Sequence, residues 1–205
     1  MLKIIDLKTS NIASVIKALK YIKVKYEVVD SYEQLKGADK ILLPGVGSYT
    51  NASVRLHETN LSDAIIELVK EKNVPILGIC IGMQLLAEFG LEGGGSEGLG
   101  LLSGRIKPLL VDDKTITVPH LGWNSVDSCT KNLELFKKVP DDSCFYFAHS
   151  FEFEVSDPGA NNATTHHGKP VTAYVEKNNI YGAQFHPEKS QAVGLQFLRN
   201  FSEIC

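Results

Sequence analysis

No stretch of this 205-residue sequence approaches the ~20 consecutive apolar residues that span a bilayer. No sign of charge dominates: 21 Lys and Arg stand against 24 Asp and Glu, a net charge of -3. That balance gives neither nucleic acid nor an anionic membrane an electrostatic handle. Cysteine is scarce. Cys80, Cys129, Cys144 and Cys205 form no C-x-x-C pair, so the sequence carries neither a disulfide framework nor a paired-cysteine metal motif. The opening MLKIIDLKTS has Lys3 and Asp6 where a signal peptide needs an apolar core. The expectation is a reduced, cytoplasmic protein in which each cysteine is either buried filler or a reactive thiol. Walker motifs, internal repeats and linkers of disordered composition are also missing. With 43% hydrophobic and 22% charged residues, 1–205 reads as a single globular domain.

The first half alternates apolar runs with helical spacing. Residues 2–6, 26–29, 40–43 and 75–79 predict strands, the third stopped by Pro44 and Gly45. Residues 11–22 predict a helix capped by Ser10 or Asn11, and 61–70 an amphipathic helix with Leu61, Ala64, Ile65, Leu68 and Val69 on one face. Continuous apolar strands alternating with helices indicate a doubly wound α/β fold with a mostly parallel sheet. A glycine-rich loop at 92–100 follows. Residues 115–118, 123–126, 144–148, 171–176 and 180–184 then predict an antiparallel extension continuing the sheet, and 190–201 a closing helix.

Residues 77–86, LGICIGMQLL, run an apolar strand into Cys80 and then into the helical pattern Met83, Leu86, Ala87. Gly78 and Gly82 flank the cysteine at two residues on either side. G-x-C-x-G is the thiol form of the nucleophile elbow: the turn is sharp, its neighbours must be small, and the helix start aims N–H groups at the sulfur. The competing reading is a buried core cysteine. A thiol nucleophile wants an imidazole, and the imidazole wants a group that fixes its tautomer. His186 ends a strand-like run and is followed by Pro187 and Glu188, so a carboxylate can meet the ring. The alternatives there are a surface turn or a metal ligand, the latter lacking a second cluster at ligand spacing. Cys80 and His186 both fall at carboxyl ends of strands, where open α/β sheets gather their working residues. His166 and His167 read as an exposed loop pair, and His57 as helix surface. Acyl transfer also needs donors for an oxyanion. Ile81 N–H supplies one, and the turn Gly45-Val46-Gly47 can supply another, unless it merely ends a strand.

Four segments, PGVGS (44–48), GICIGMQLL (78–86), YFAHSF (146–151) and QFHPEKS (184–190), together resemble the class I, triad-type glutamine amidotransferases. The nearest subfamily is the glutaminase subunit of imidazole glycerol phosphate synthase. EGLGLLSGRIK (97–107), VPHLGWNSV (118–126) and EKSQAVGLQFLRNF (188–201) extend the resemblance over nearly the whole chain. It implies a flavodoxin-like doubly wound sheet, a Cys80–His186–Glu188 triad, and neither cofactor nor metal. It implies that glutamine is held by Gly45, Val46, Gly47, Gln84, His149, Ser150 and Phe151, with Val46 and Ile81 giving the oxyanion N–H groups. It further implies a heterodimer with a (β/α)8 cyclase. That subunit would take the ammonia and make imidazole glycerol phosphate and aminoimidazole carboxamide ribotide in histidine biosynthesis. Asn11, Trp123, Asn124 and Tyr146 would face this partner. One segment departs from the family: its Tyr-Gly-x-Gly-Asn pattern after the first strand is here Asp6 to Asn11, with only the Asn kept. That loop alone gives another reading, a paralogue serving a sugar-nucleotide synthase of surface polysaccharide; two further classes stand beside it, a cysteine hydrolase such as a γ-glutamyl peptidase that releases its product to water, and a non-catalytic docking module.

Overall fold

The computed structural model describes residues 1–8, 12–127 and 132–204. Its spine is a seven-stranded sheet. The chain lays down β1 (Leu2–Ile5), α1 (Ala13–Tyr21), β2 (Tyr26–Val29), the single turn α2 (Tyr32–Leu35), β3 (Lys40–Gly45), α3 (Tyr49–Glu58) and α4 (Leu61–Ile66). Next come β4 (Ile76–Cys80) and the one-turn α5 (Ile81–Gln84). Two short strands, β5 (Phe89–Gly90) and β6 (Ser96–Glu97), precede β7 (Gly104–Pro108), β8 (His120–Ser125), β9 (Cys144–His149) and β10 (Phe151–Val155). The chain closes with β11 (Asn161–His166), β12 (Pro170–Lys177), β13 (Ile180–Ala183) and α6 (Gln191–Glu203).

The large sheet runs β11-β12-β13-β4-β3-β1-β2. From β13 to β2 neighbours are parallel, and β12 and β11 add antiparallel pairs. Every residue of β1, β4 and β13 is buried, as expected of strands covered on both faces. Helix α1 packs against α6, while α4 packs against α2 and α3, giving two separate helical layers. Among the described residues no helix is long and apolar enough to cross a membrane.

The second half departs from expectation in several places. Only β11 and β12 join β13 in extending the large sheet; β8 and β9 form a ribbon of their own, and β10-β7-β5-β6 make a separate four-stranded sheet. The strand expected at 115–118 is absent. Asp113 accepts from both the backbone N–H and the hydroxyl of Thr115, and its carbonyl accepts from Ile116, so the segment closes into a turn. Strand β3 carries on through Pro44 and Gly45, because a parallel rung at a strand end tolerates proline. The helix expected at 61–70 widens after Ile66 into a π-helical turn, Glu67–Glu71. Of the pair read as an exposed loop, His166 is exposed but ends β11, while His167, just beyond it, is half-buried and stacks on His120 with ring centroids 4.2 Å apart. Asn11 and both expected caps of α1 fall within 9–11, outside the described residues, and so do those expectations.

Candidate active site

Two strand ends build the centre. Cys80, the last residue of β4, has φ 54° and ψ -109°, a backbone that a residue with a Cβ rarely adopts. The flanking glycines show why the chain accepts it. A Cβ on Gly82 would sit 1.7 Å from the Leu43 carbonyl oxygen, and one on Gly78 2.4 Å from that of Gly82. Helix α5 therefore starts hard against β3, and the thiol projects into a cavity of about 470 Å³. Val46 and Gly47, just beyond β3, line the same cavity, since Gly45 pairs with Cys80 across the ladder.

His186 follows β13, parallel neighbour of β4. Its backbone N–H donates to Tyr146 at 2.8 Å and its carbonyl accepts from the buried Ser190 hydroxyl at 2.6 Å, which locks the ring's attachment. On one side the ring interacts electrostatically with Cys80, whose thiol lies 3.9 Å from the Ala148 carbonyl oxygen, and on the other it bonds through Nδ1 to Glu188 Oε1 at 2.8 Å. Both side chains are nearly dry, at 2% and 5% exposed. Burial alone would lower the His186 pKa. The interactions with Cys80 and Glu188 outweigh it and raise the value to about 10, so the protonated ring is favoured.

The structure thus gathers Cys80, His186, Glu188, Val46, Gly47, Ile81, Gln84, His149, Ser150 and Phe151 at or around one cavity. Gly45 sits behind it on the Cys80 rung. Trp123 and Tyr146 lie outside on the β8–β9 ribbon, paired and packed edge to face at 6.0 Å, with Trp123 49% exposed. Asn124 is half-buried and turns inward, donating to the His166 carbonyl at 2.9 Å and meeting His120 Nε2 at 3.2 Å.

Three residues escaped the sequence reading. Glu92 stands in the cavity wall and accepts from the Tyr49 N–H at the start of α3; the glycines after it masked a carboxylate with a fixed place. Gln184, wholly buried, lies one residue past β13 and two before His186. His120 lies on β8 beneath the cavity wall. Its Nδ1 meets His149 Nε2 at 3.1 Å, and His149 Nδ1 meets the Phe151 carbonyl at 2.8 Å.

A carbonyl only accepts, so these tautomers can be assigned. His149 carries its proton on Nδ1 and accepts at Nε2 from His120 Nδ1–H, and His120 Nε2 accepts from Asn124. Both rings are neutral. Burial, with the neighbouring imidazoles, pushes His120 down to about 3; burial also takes His149 down to about 4 against the pull of its bond to Phe151. Unfolded histidine protonates near 6.5. Between about pH 6.5 and pH 4 the unfolded chain therefore binds protons that the native chain refuses, and stability falls as pH falls. Well below pH 6.5 the slope should approach about 1.4 kcal/mol per pH unit for each ring. Urea midpoints at pH 7, 6 and 5 read the slope. Imidazole ¹⁵N spectra at pH 5 should show both rings neutral and protonated at Nδ1, and either ring titrating near 6.5 would contradict the assignment.

Comparison with known proteins then adds family evidence. The model of the family described as "Glutamine amidotransferase class-I" matches residues 3–204. Similar curated proteins include "Imidazole glycerol phosphate synthase subunit HisH" of Leptospira borgpetersenii, 39% identical over 206 residues, and that of Chlorobaculum tepidum, 41% identical over 205 residues. In both cases the match covers 100% of each chain. Among solved structures, "Crystal structure of glutamine amidotransferase" superposes with TM-score 0.77 at 18% identity, covering 99% of both chains. "Structure of PurLQS from Thermotoga maritima" gives 0.74 at 19% identity, covering 98% of this chain and 96% of that one. At such identities these two speak for the fold alone.

Proposed function

The chain belongs to the class I glutamine amidotransferases, and from that membership we propose that it is the glutaminase subunit of an imidazole glycerol phosphate synthase, acting as one unit over its whole length. One observation carries the chemistry: a buried thiol and an imidazole that a buried carboxylate holds by a hydrogen bond line or adjoin one cavity sized for an amino acid, the thiol and the ring acting on each other. Full-length relatives at about 40% identity support the pathway.

In this reading glutamine enters with its side-chain amide toward Cys80. The Glu92 carboxylate suits its ammonium group. Cys80 thiolate attacks the amide carbon, and the new oxyanion lies against the N–H groups of Val46 and Ile81. The C–N bond breaks as His186 gives its proton to the departing nitrogen, releasing ammonia and leaving a glutamyl thioester. A water then adds, its proton passing to His186. Collapse frees glutamate and restores the thiolate. Glu188 holds Nδ1–H so that Nε2 faces the sulfur throughout.

Ammonia generated beside solvent would be lost by protonation, so a partner must cover the exit. The ribbon bearing Trp123 and Leu121, 49% and 66% exposed, is an apolar surface at the mouth of the cavity. It suits a (β/α)8 cyclase that consumes the ammonia to make imidazole glycerol phosphate and aminoimidazole carboxamide ribotide in the cytoplasm. Mixing the chain with a histidine-pathway cyclase and its ribonucleotide substrate should give glutamine-dependent product. Glutamine turnover that responds only to a sugar-nucleotide synthase would replace this assignment with the paralogue.

A further inference from the structure

Gln184 has no part in the mechanism above, yet its side chain touches the nucleophile. It is wholly buried at the end of β13, and its Nε2 lies 3.7 Å from Cys80 Sγ. Its Oε1 accepts from Gln84 Nε2 at 3.0 Å, and the same Gln84 nitrogen donates to the Phe151 carbonyl at 3.3 Å.

These contacts admit one arrangement. The Phe151 carbonyl can only accept, so Gln84 must turn its nitrogen there. Both hydrogens of that nitrogen are then used, on Phe151 and on Gln184, so Gln184 must present its oxygen to Gln84. The amide nitrogen of Gln184 is left facing the sulfur. The order also turns Gln84 Oε1 the other way. That atom is buried without a partner among the described residues, and Gln84 lines the cavity. A buried acceptor left open in this way costs free energy until a donor arrives.

We propose that Gln184 is a second group acting on the nucleophile, holding an amide N–H on Cys80 Sγ while locking Gln84 so that its oxygen is left open toward glutamine. The proposal rests on the glutaminase reading above and deepens it. Thiolate is the better acceptor, so a donor at the sulfur favours the attacking form and steadies the same sulfur when it leaves the thioester. Other charged or titratable groups around the sulfur are His186 with Glu188, and, in the cavity wall, His149, Glu92 and Lys189.

Two substitutions separate the two duties. Gln184→Glu keeps an acceptor for Gln84 and sets a carboxylate oxygen against the sulfur. In the complex with the cyclase, kcat should fall about 100-fold, the size of one lost catalytic donor, with KM for glutamine nearly unchanged. Gln184→Met keeps the volume and removes both contacts, so kcat should fall and KM rise together. A reading that needs no glutamine runs in parallel: the rate of iodoacetamide labelling at Cys80 against pH. Its midpoint should move to higher pH in both variants, further for Glu than for Met. Folding is checked by circular dichroism, and the neutral Met variant suffices should the Glu variant not fold. Wild-type kcat in the Met variant, together with an unmoved labelling profile, would overturn the proposal. If wild-type protein hydrolysed no glutamine, the glutaminase reading would fail, and the labelling profile would still decide the role of Gln184.

Discussion

Replacing Cys80 with alanine should reduce glutamine hydrolysis to background, a loss of about 10⁴-fold or more, while leaving ammonia-dependent synthesis by the partner intact. The size follows from the geometry. Cys80 is a nucleophile that acts on the His186 ring, and among the described cavity-lining side chains no hydroxyl or second thiol is bonded to that ring. Ammonium salts at alkaline pH bypass the glutaminase, so the same variant in complex must still make product from them. His186→Ala should fall nearly as far. Glu188→Gln should cost less, because a carboxamide oxygen still accepts from Nδ1–H and orients the ring. The measurement is glutamate release and product formation in the reconstituted complex. Normal glutamine turnover by Cys80→Ala would remove the nucleophile from this account altogether.

Gly82→Ala should be the most damaging single methyl in the protein. The added Cβ would stand 1.7 Å from the Leu43 oxygen and 2.8 Å from its carbon, both backbone atoms of a central strand that cannot swing aside. Either α5 lifts away from β3 or the sheet opens. Overpacking in yielding surroundings costs about 1–3 kcal/mol, so the expected loss here is about 3 kcal/mol or more, roughly 6–12 °C in Tm. Gly159→Ala is the control. A Cβ there meets the flexible end of Lys177 at 3.4 Å and Asp157 Oδ1 at 3.7 Å, and stability should stay within about 0.5 kcal/mol of wild type. Equal melting temperatures for the two variants would show that the tight seat of the elbow is not needed.

The parallel half of the fold was legible because its signals are local. Short apolar runs mark β3 and β4, and β1 is apolar apart from Lys3. The elbow was legible for the same reason: glycines on both sides of a cysteine state a steric demand in five letters. The antiparallel half was harder. The stretch 115–118 alternates like a strand, but the Asp113 side chain captures its backbone first. Strands β7, β10 and β11 were not foreseen; β10 and β11 carry Glu152, Glu154, Asn161 and Asn162 among their apolar positions, and partners distant in the chain decide them. Around the cavity, Gln84 was found through motif similarity. Gln184 and His120 were not, because what sets them apart is a chain of donors and acceptors linking β4, β8, β9 and β13, and no spacing along one segment encodes it.

Strands β3 and β4 finish side by side, Gly45 opposite Cys80, so the turn beyond one and the sulfur on the other are cut to a common length. A single residue inserted in β4 would advance its tip by about 3.3 Å and swing the thiol to the opposite face of the sheet, away from His186. Counting residues from the ladder to the tip is therefore a sharper test of competence in such chains than the presence of a cysteine.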